Sequence, residues 1–146
     1  CELGNHTYDH TDLATLSASD ISSQISKVDQ ELVNLTGQGA TVVRPPYGSV
    51  NDTVKATVGT PMILWSIDTL DWKTQDVQAT VEEVMNNVQD GSIILMHDIY
   101  STSVDAAEIL IPQLIEDGYQ LVTVHELVAA HGKELNPGIT YGEFTS

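Results

Sequence analysis

An alternation constrains this chain more than any other feature: short, almost wholly apolar runs separated by longer segments whose apolar residues recur every three to four positions. The runs are Thr41-Val42-Val43, Met62 to Ile67, Ser92 to Met96 and Tyr119 to Val124. Continuous apolarity over so few residues marks strands covered on both faces, and a helix between successive strands is what parallel neighbours require. Ile21, Ile25, Val28, Leu32 and Leu35 predict a helix over 19–35, with Asp20 in its first turn and Gly37 and Gly39 beyond its end. A short helix is predicted over 52–58. Val77, Val81, Val84, Met85 and Val88 predict another, closed by Gly91. Two more are expected over 104–115, despite Pro112, and over 125–130, stopped by Gly132. The pattern is α/β with a parallel sheet.

At 146 residues, 41% of them hydrophobic, the chain fits one domain with a sizeable core. That domain is expected to occupy 1–133, with 134–146 as an irregular tail holding Pro137 and two glycines. Five Lys+Arg against 21 Asp+Glu give a net charge of -16, which repels phosphate backbones and argues against a nucleic-acid partner. The lone Cys1 excludes an internal disulfide, and no apolar stretch reaches the length of a membrane span. No signal-peptide pattern stands at the N-terminus.

Polar clusters sit where the apolar runs end. Arg44 follows the first run, in Arg44-Pro45-Pro46-Tyr47, Asp68 follows the second, in Asp68-Thr69-Leu70-Asp71-Trp72, and His97-Asp98 follows the third. Active sites of α/β barrels and open α/β sheets gather at these C-terminal strand ends. No glycine-rich phosphate loop follows any run, so a barrel is favoured over a nucleotide-binding sheet. Near the N-terminus His6 and His10 stand four residues apart, a spacing that on a helix would point both imidazoles to one side and suit a metal ion. Two solvent-exposed helix histidines would show the same spacing.

Asn5-His6-Thr7-x-x-His10, Arg44-Pro45-Pro46-Tyr47-Gly48, Asp68-x-x-Asp71-Trp72 and Leu95-Met96-His97-Asp98, in this order, resemble the motifs of the polysaccharide deacetylases of the NodB homology type, carbohydrate esterase family 4. The resemblance covers the chain to about Lys133. It implies a distorted (β/α) barrel and a metal-dependent hydrolase that removes acetyl groups from N- or O-acetylated sugars, working outside the cell or at its surface. The family's first motif carries an Asp-Asp pair that supplies the general base and a third metal ligand, and this chain contains no Asp-Asp pair. The barrel is therefore expected to be incomplete here. The N-terminal strands and the Asp-Asp pair are expected on an upstream fragment of the same precursor, with apolar strand edges at 1–3 and 119–124 left open for it.

By this resemblance His6 and His10 are metal ligands, and the metal is expected to be zinc, with cobalt or nickel also compatible with imidazole and carboxylate ligands. His97 corresponds to the general acid that protonates the leaving group, and Asp71 to the carboxylate that orients His97 and favours its charged form. Arg44 corresponds to the arginine that pairs with the catalytic base, and the Tyr47 backbone N–H to a donor for the oxyanion. Trp72 and Leu95 correspond to residues that close a pocket around the acetyl methyl, although both are equally suited to plain core. Asp68 is suited to capping the turn after it.

The reaction implied is hydrolysis of an acetyl group on a polysaccharide, with N-acetylglucosamine units of peptidoglycan or chitin-like oligomers favoured by family analogy. An esterase acting on acetylated xylan and a non-catalytic carbohydrate-binding relative are the alternatives. A glycosidase using Asp68 and Asp71 is disfavoured, because its two carboxylates must flank the scissile bond, whereas these lie three residues apart beside one strand end.

Overall fold

The computed structural model describes residues 1–145. Its helices are α1 (Ala18–Thr36), α2 (Asp52–Thr57), α3 (Asp71–Thr74), α4 (Val77–Asn87), α5 (Ser101–Glu116) and α6 (Val124–Ala130). Its strands are β1 (Met62–Ile63), β2 (Ile67–Asp68), β3 (Ile94–Leu95) and β4 (Thr140–Tyr141). The chain divides into two units, one formed by Cys1–Leu64 with Glu134–Tyr141, the other by Trp65–Lys133 with the residues from Gly142 onward.

In the first unit Val43 is the middle of a short parallel array. It bridges Asn5 on one side and Met62 on the other, and β1 continues the array to β4, with Met62 opposite Thr140 and Ile63 opposite Tyr141. Pairing at Val43 stops where Pro45 and Pro46, which lack an N–H, take the chain away. Beneath this array Leu13, Ile21, Val43, Val54, Val58 and Met62 pack into a dry cluster. α1 starts at Ser17, whose hydroxyl accepts from the Asp20 N–H, and ends at Gly37, which takes the left-handed φ of +82° that a C-terminal cap favours. Its apolar stripe is buried at Ile21 but fully in solvent by Leu35, 80% exposed.

In the second unit β2 and β3 pair in parallel, Ile67 opposite Ile94 and Asp68 opposite Leu95. α4 packs on α5 through Val81, Val84, Ala106, Leu110 and Leu114, with Ile67 beneath them. The Tyr119 hydroxyl donates to the Val88 carbonyl at 3.1 Å.

Three strand predictions need correction. The run 62–67 is two strands in two units, because Leu64 N–H donates to Tyr141 while Ser66 N–H donates to Ile93. The run 119–124 forms no strand: Val124 already belongs to α6, where Thr123 and Glu126 exchange side-chain and backbone hydrogen bonds in a capping box, and Leu121 is left 48% exposed. Residues 1–3 form no strand either. The segment 134–146, predicted to be irregular, contributes β4 and the buried Phe144 among its described residues. Gly91 makes that possible: a Cβ on it would lie 2.6 Å from the Phe144 carbonyl carbon, and its own carbonyl accepts from the Phe144 N–H. Alternating helices and parallel pairs are those of a (β/α) barrel type, and the described strands do not close into one.

Candidate active site

His6 and His10 lie on a loop. Thr7 and His10 take φ of +69° and +62°, incompatible with the helix that their spacing predicted. Side chains have replaced the helical bonds: Asn5 Oδ1 accepts from Thr7 N–H, Thr7 Oγ1 from His10 N–H, and Gln24 Oε1 on α1 from the N–H groups of Tyr8 and Asp9. The fully buried Asn5 also donates to the Ile25 carbonyl and to Asp29 Oδ1, which ties the loop to α1. The loop nonetheless brings the imidazoles together, their centroids 4.8 Å apart.

His6 Nδ1 meets the Arg44 carbonyl, which can only accept, so Nδ1 carries the proton and Nε2 keeps its lone pair. His10 Nδ1 lies 3.3 Å from the Tyr47 hydroxyl, whose ring stands edge-on to the imidazole. Two imidazoles of this kind could supply two ligands to a divalent metal. A catalytic zinc site normally takes three protein ligands, and among the described residues no group of three His, Cys, Asp or Glu side chains is placed to hold a metal.

Arg44 is locked by its backbone: its N–H donates to Asn5 and its carbonyl accepts from His6. Its Nε is buried with no hydrogen-bond partner among the described residues, and burial pushes the guanidinium pKa down. After Pro45-Pro46, Tyr47 is 70% exposed at φ +61°, a conformation that costs a bulky residue on the order of 1 kcal/mol.

The second unit holds the other cluster. Asp68 Oδ1 accepts from the Leu70 N–H, turning the chain after β2 so that Asp71, 1% exposed, opens α3. Asp71 takes four hydrogen bonds: Oδ1 from His97 Nδ1 at 2.8 Å and the Trp72 N–H at 2.9 Å, Oδ2 from the His97 N–H and the Ser103 hydroxyl, both at 2.7 Å. Burial, the largest single influence, pushes the carboxyl pKa up, but the His97 and Ser103 hydrogen bonds and the His97 charge outweigh it and hold it below the ordinary range. Since the carboxylate takes the Nδ1 proton, Nε2 is the His97 atom left for proton exchange. Trp72 is half exposed on α3, and Leu95 is buried in β3. Thr69, buried, donates to the Leu95 carbonyl at 2.7 Å.

Sequence reasoning passed over Asn5 as a structural residue, together with Gln24 and Ser103. A signal existed for Ser103: it falls in register with Ala106, Leu110 and Leu114 on the buried stripe of α5.

A family model described as Polysaccharide deacetylase matches residues 1–60. A solved structure described as T48 deacetylase with substrate is 38% identical, and the match covers 96% of this chain and 69% of that one with a TM-score of 0.91. The chain belongs to the polysaccharide deacetylase family. The peptidoglycan-N-acetylmuramic acid deacetylase PdaC of Bacillus subtilis is 42% identical over 86% of this chain and 27% of its own length. The peptidoglycan-N-acetylglucosamine deacetylase PgdA of Listeria monocytogenes is 36% identical over 99% of this chain and 30% of its own. The chain thus spans less than a third of these two relatives. A family 4 acetyl xylan esterase from Clostridium thermocellum, solved with a cobalt ion, is 27% identical, with 96% of this chain and 71% of that one covered and a TM-score of 0.90.

Proposed function

We propose that this deacetylase chain acts in hydrolysing the acetyl group from N-acetylated sugars of peptidoglycan, with N-acetylglucosamine units, or chitin-like oligomers of them, as the substrate. The observation that carries the reading is the His97–Asp71 pair. A buried carboxylate with four donors holds one imidazole in one tautomer and one orientation, which is what delivery of a proton to a departing amine needs. Asp71 orients and His97 donates from Nε2.

His6 and His10 would hold a divalent metal, and their imidazole donors suit zinc, cobalt or nickel. When bound, such a metal supplies Lewis-acid polarisation of the acetyl carbonyl. The buried, unpartnered Nε of Arg44 suits a carboxylate, and we assign that place to the base of an Asp-Asp pair supplied by a segment outside these 146 residues. The Tyr47 N–H takes the role of oxyanion donor, while Trp72 and Leu95 border the acetyl methyl.

Peptidoglycan as substrate places the enzyme outside the cell or at its surface. No helix among the described residues is long and apolar enough to cross a membrane. Acetylated xylan is the second reading, favoured by the likeness to the acetyl xylan esterase. Acetate release from N-acetylglucosamine oligomers, intact peptidoglycan and acetylated xylan, each assayed beside new reducing ends, tests the proposal. Acetate from the first two without reducing ends supports it. New reducing ends, or acetate from xylan alone, overturns it.

A further inference from the structure

Ser103 stands on the buried stripe of α5, where Ala106, Leu110 and Leu114 are its companions, and is 3% exposed. A hydroxyl in such surroundings needs a partner, and it has one in Asp71 Oδ2 at 2.7 Å. We infer that Ser103 is a positioning residue of the hydrolytic site, fixing the rotation of the Asp71 carboxylate and through it the imidazole of His97. The catalytic consequence rests on the reading of His97 as the acid.

The argument is one of independence. Of the four donors to Asp71, two belong to His97 itself and one, the Trp72 N–H, to Asp71's own helix. If Ser103 were removed, the carboxylate that orients His97 would be held mainly by His97. The Ser103 hydroxyl comes from a third element, α5, anchored through the Leu110 and Leu114 cluster. It therefore stops the carboxylate from turning about its last bond when His97 moves a proton. The Ser103 bond is also among the influences that hold the Asp71 carboxyl below its ordinary range, and His97 is the titratable side chain that meets this carboxylate.

The test follows the Asp71 side-chain carboxyl by carbon-detected NMR through an acid titration of the whole chain in wild type, Ser103→Ala, Ser103→Thr and Ser103→Cys. The midpoint is expected to rise in Ser103→Ala and to return in Ser103→Thr, which keeps the hydroxyl. Deacetylation by the same variants in the protein that includes the Asp-Asp segment should show kcat lower by about tenfold in Ser103→Ala, the equivalent of one hydrogen bond, with KM little changed and recovery in Ser103→Thr. Ser103→Cys, similar in size but a weak donor, is expected to behave as the alanine variant does and reads the same loss should that variant not fold. An unchanged Asp71 midpoint in the variants without the hydroxyl, or a loss that threonine does not restore, overturns the inference. Should wild type that includes the segment carrying the Asp-Asp pair release no acetate, the functional reading fails while the titration still decides the role of Ser103.

Discussion

Asp71 and Arg44 are both charged residues with buried polar atoms beside the end of an apolar run, and their surroundings treat them oppositely. Asp71 accepts four hydrogen bonds within its own unit. Arg44 Nε has none among the described residues. A buried polar atom without a partner costs about 1–3 kcal/mol, more when charged. In the proposed reading the proton-handling pair is complete in itself, whereas the histidine and arginine cluster receives groups it does not contain. Among the described residues five non-glycine residues have positive φ: Thr7, His10 and Tyr47 lie in the receiving cluster, while Leu70 and Gln75 flank α3.

The contrast breaks first at the histidines. His6→Ala or His10→Ala is expected to remove metal and turnover together, since the two ligands left in either variant do not hold a divalent ion tightly; full metal occupancy measured in either variant would dissolve the distinction. Arg44→Ala should lower kcat by roughly 10–100-fold while leaving metal content in place, as loss of an outer partner does, and Arg44→Lys should not restore it because lysine lacks the planar fork. Steady-state kinetics with metal analysis on both variants checks this.

Smaller effects sharpen the comparison through stability. Asn5→Ala removes the donor to Ile25 and Asp29 and strands the Thr7 N–H, so the first unit should lose about 2–3 kcal/mol in urea unfolding. A loss under about 0.5 kcal/mol would mean that the histidine loop stands without it. For Asp71 the folded carboxyl titrates below the ordinary value near 3.9, so the unfolded chain binds the proton more readily. The stabilisation is present above that value and is lost as pH falls from about 4 through the folded pKa. Asp71→Asn should flatten the dependence of unfolding free energy on pH in that window, and an unaltered slope would contradict the assignment.

Much of this was legible in the sequence where one local rule governed. α1 and α4 follow from the spacing of their apolar residues, and α1 ends at Gly37 as expected. The meeting of His97 with Asp71 was implied by the family resemblance. Strand lengths were not, because an apolar run says that a segment is buried but not which neighbour takes its N–H groups, and 62–67 changes partners midway. The His6–His10 spacing suggested a helix, yet Asn5, Thr7 and Gln24 offered the backbone better bonds in a loop. Ser103 was hidden because a serine in a helical stripe names no partner.

The most direct test of the division between a complete acid pair and a receiving cluster is His97→Ala in the intact enzyme, with metal content and acetate release measured on the same sample. The account predicts metal at the wild-type level and acetate release lower by about 10²–10⁴-fold, the range for loss of a general acid. Loss of metal in step with activity would make His97 a ligand and contradict it.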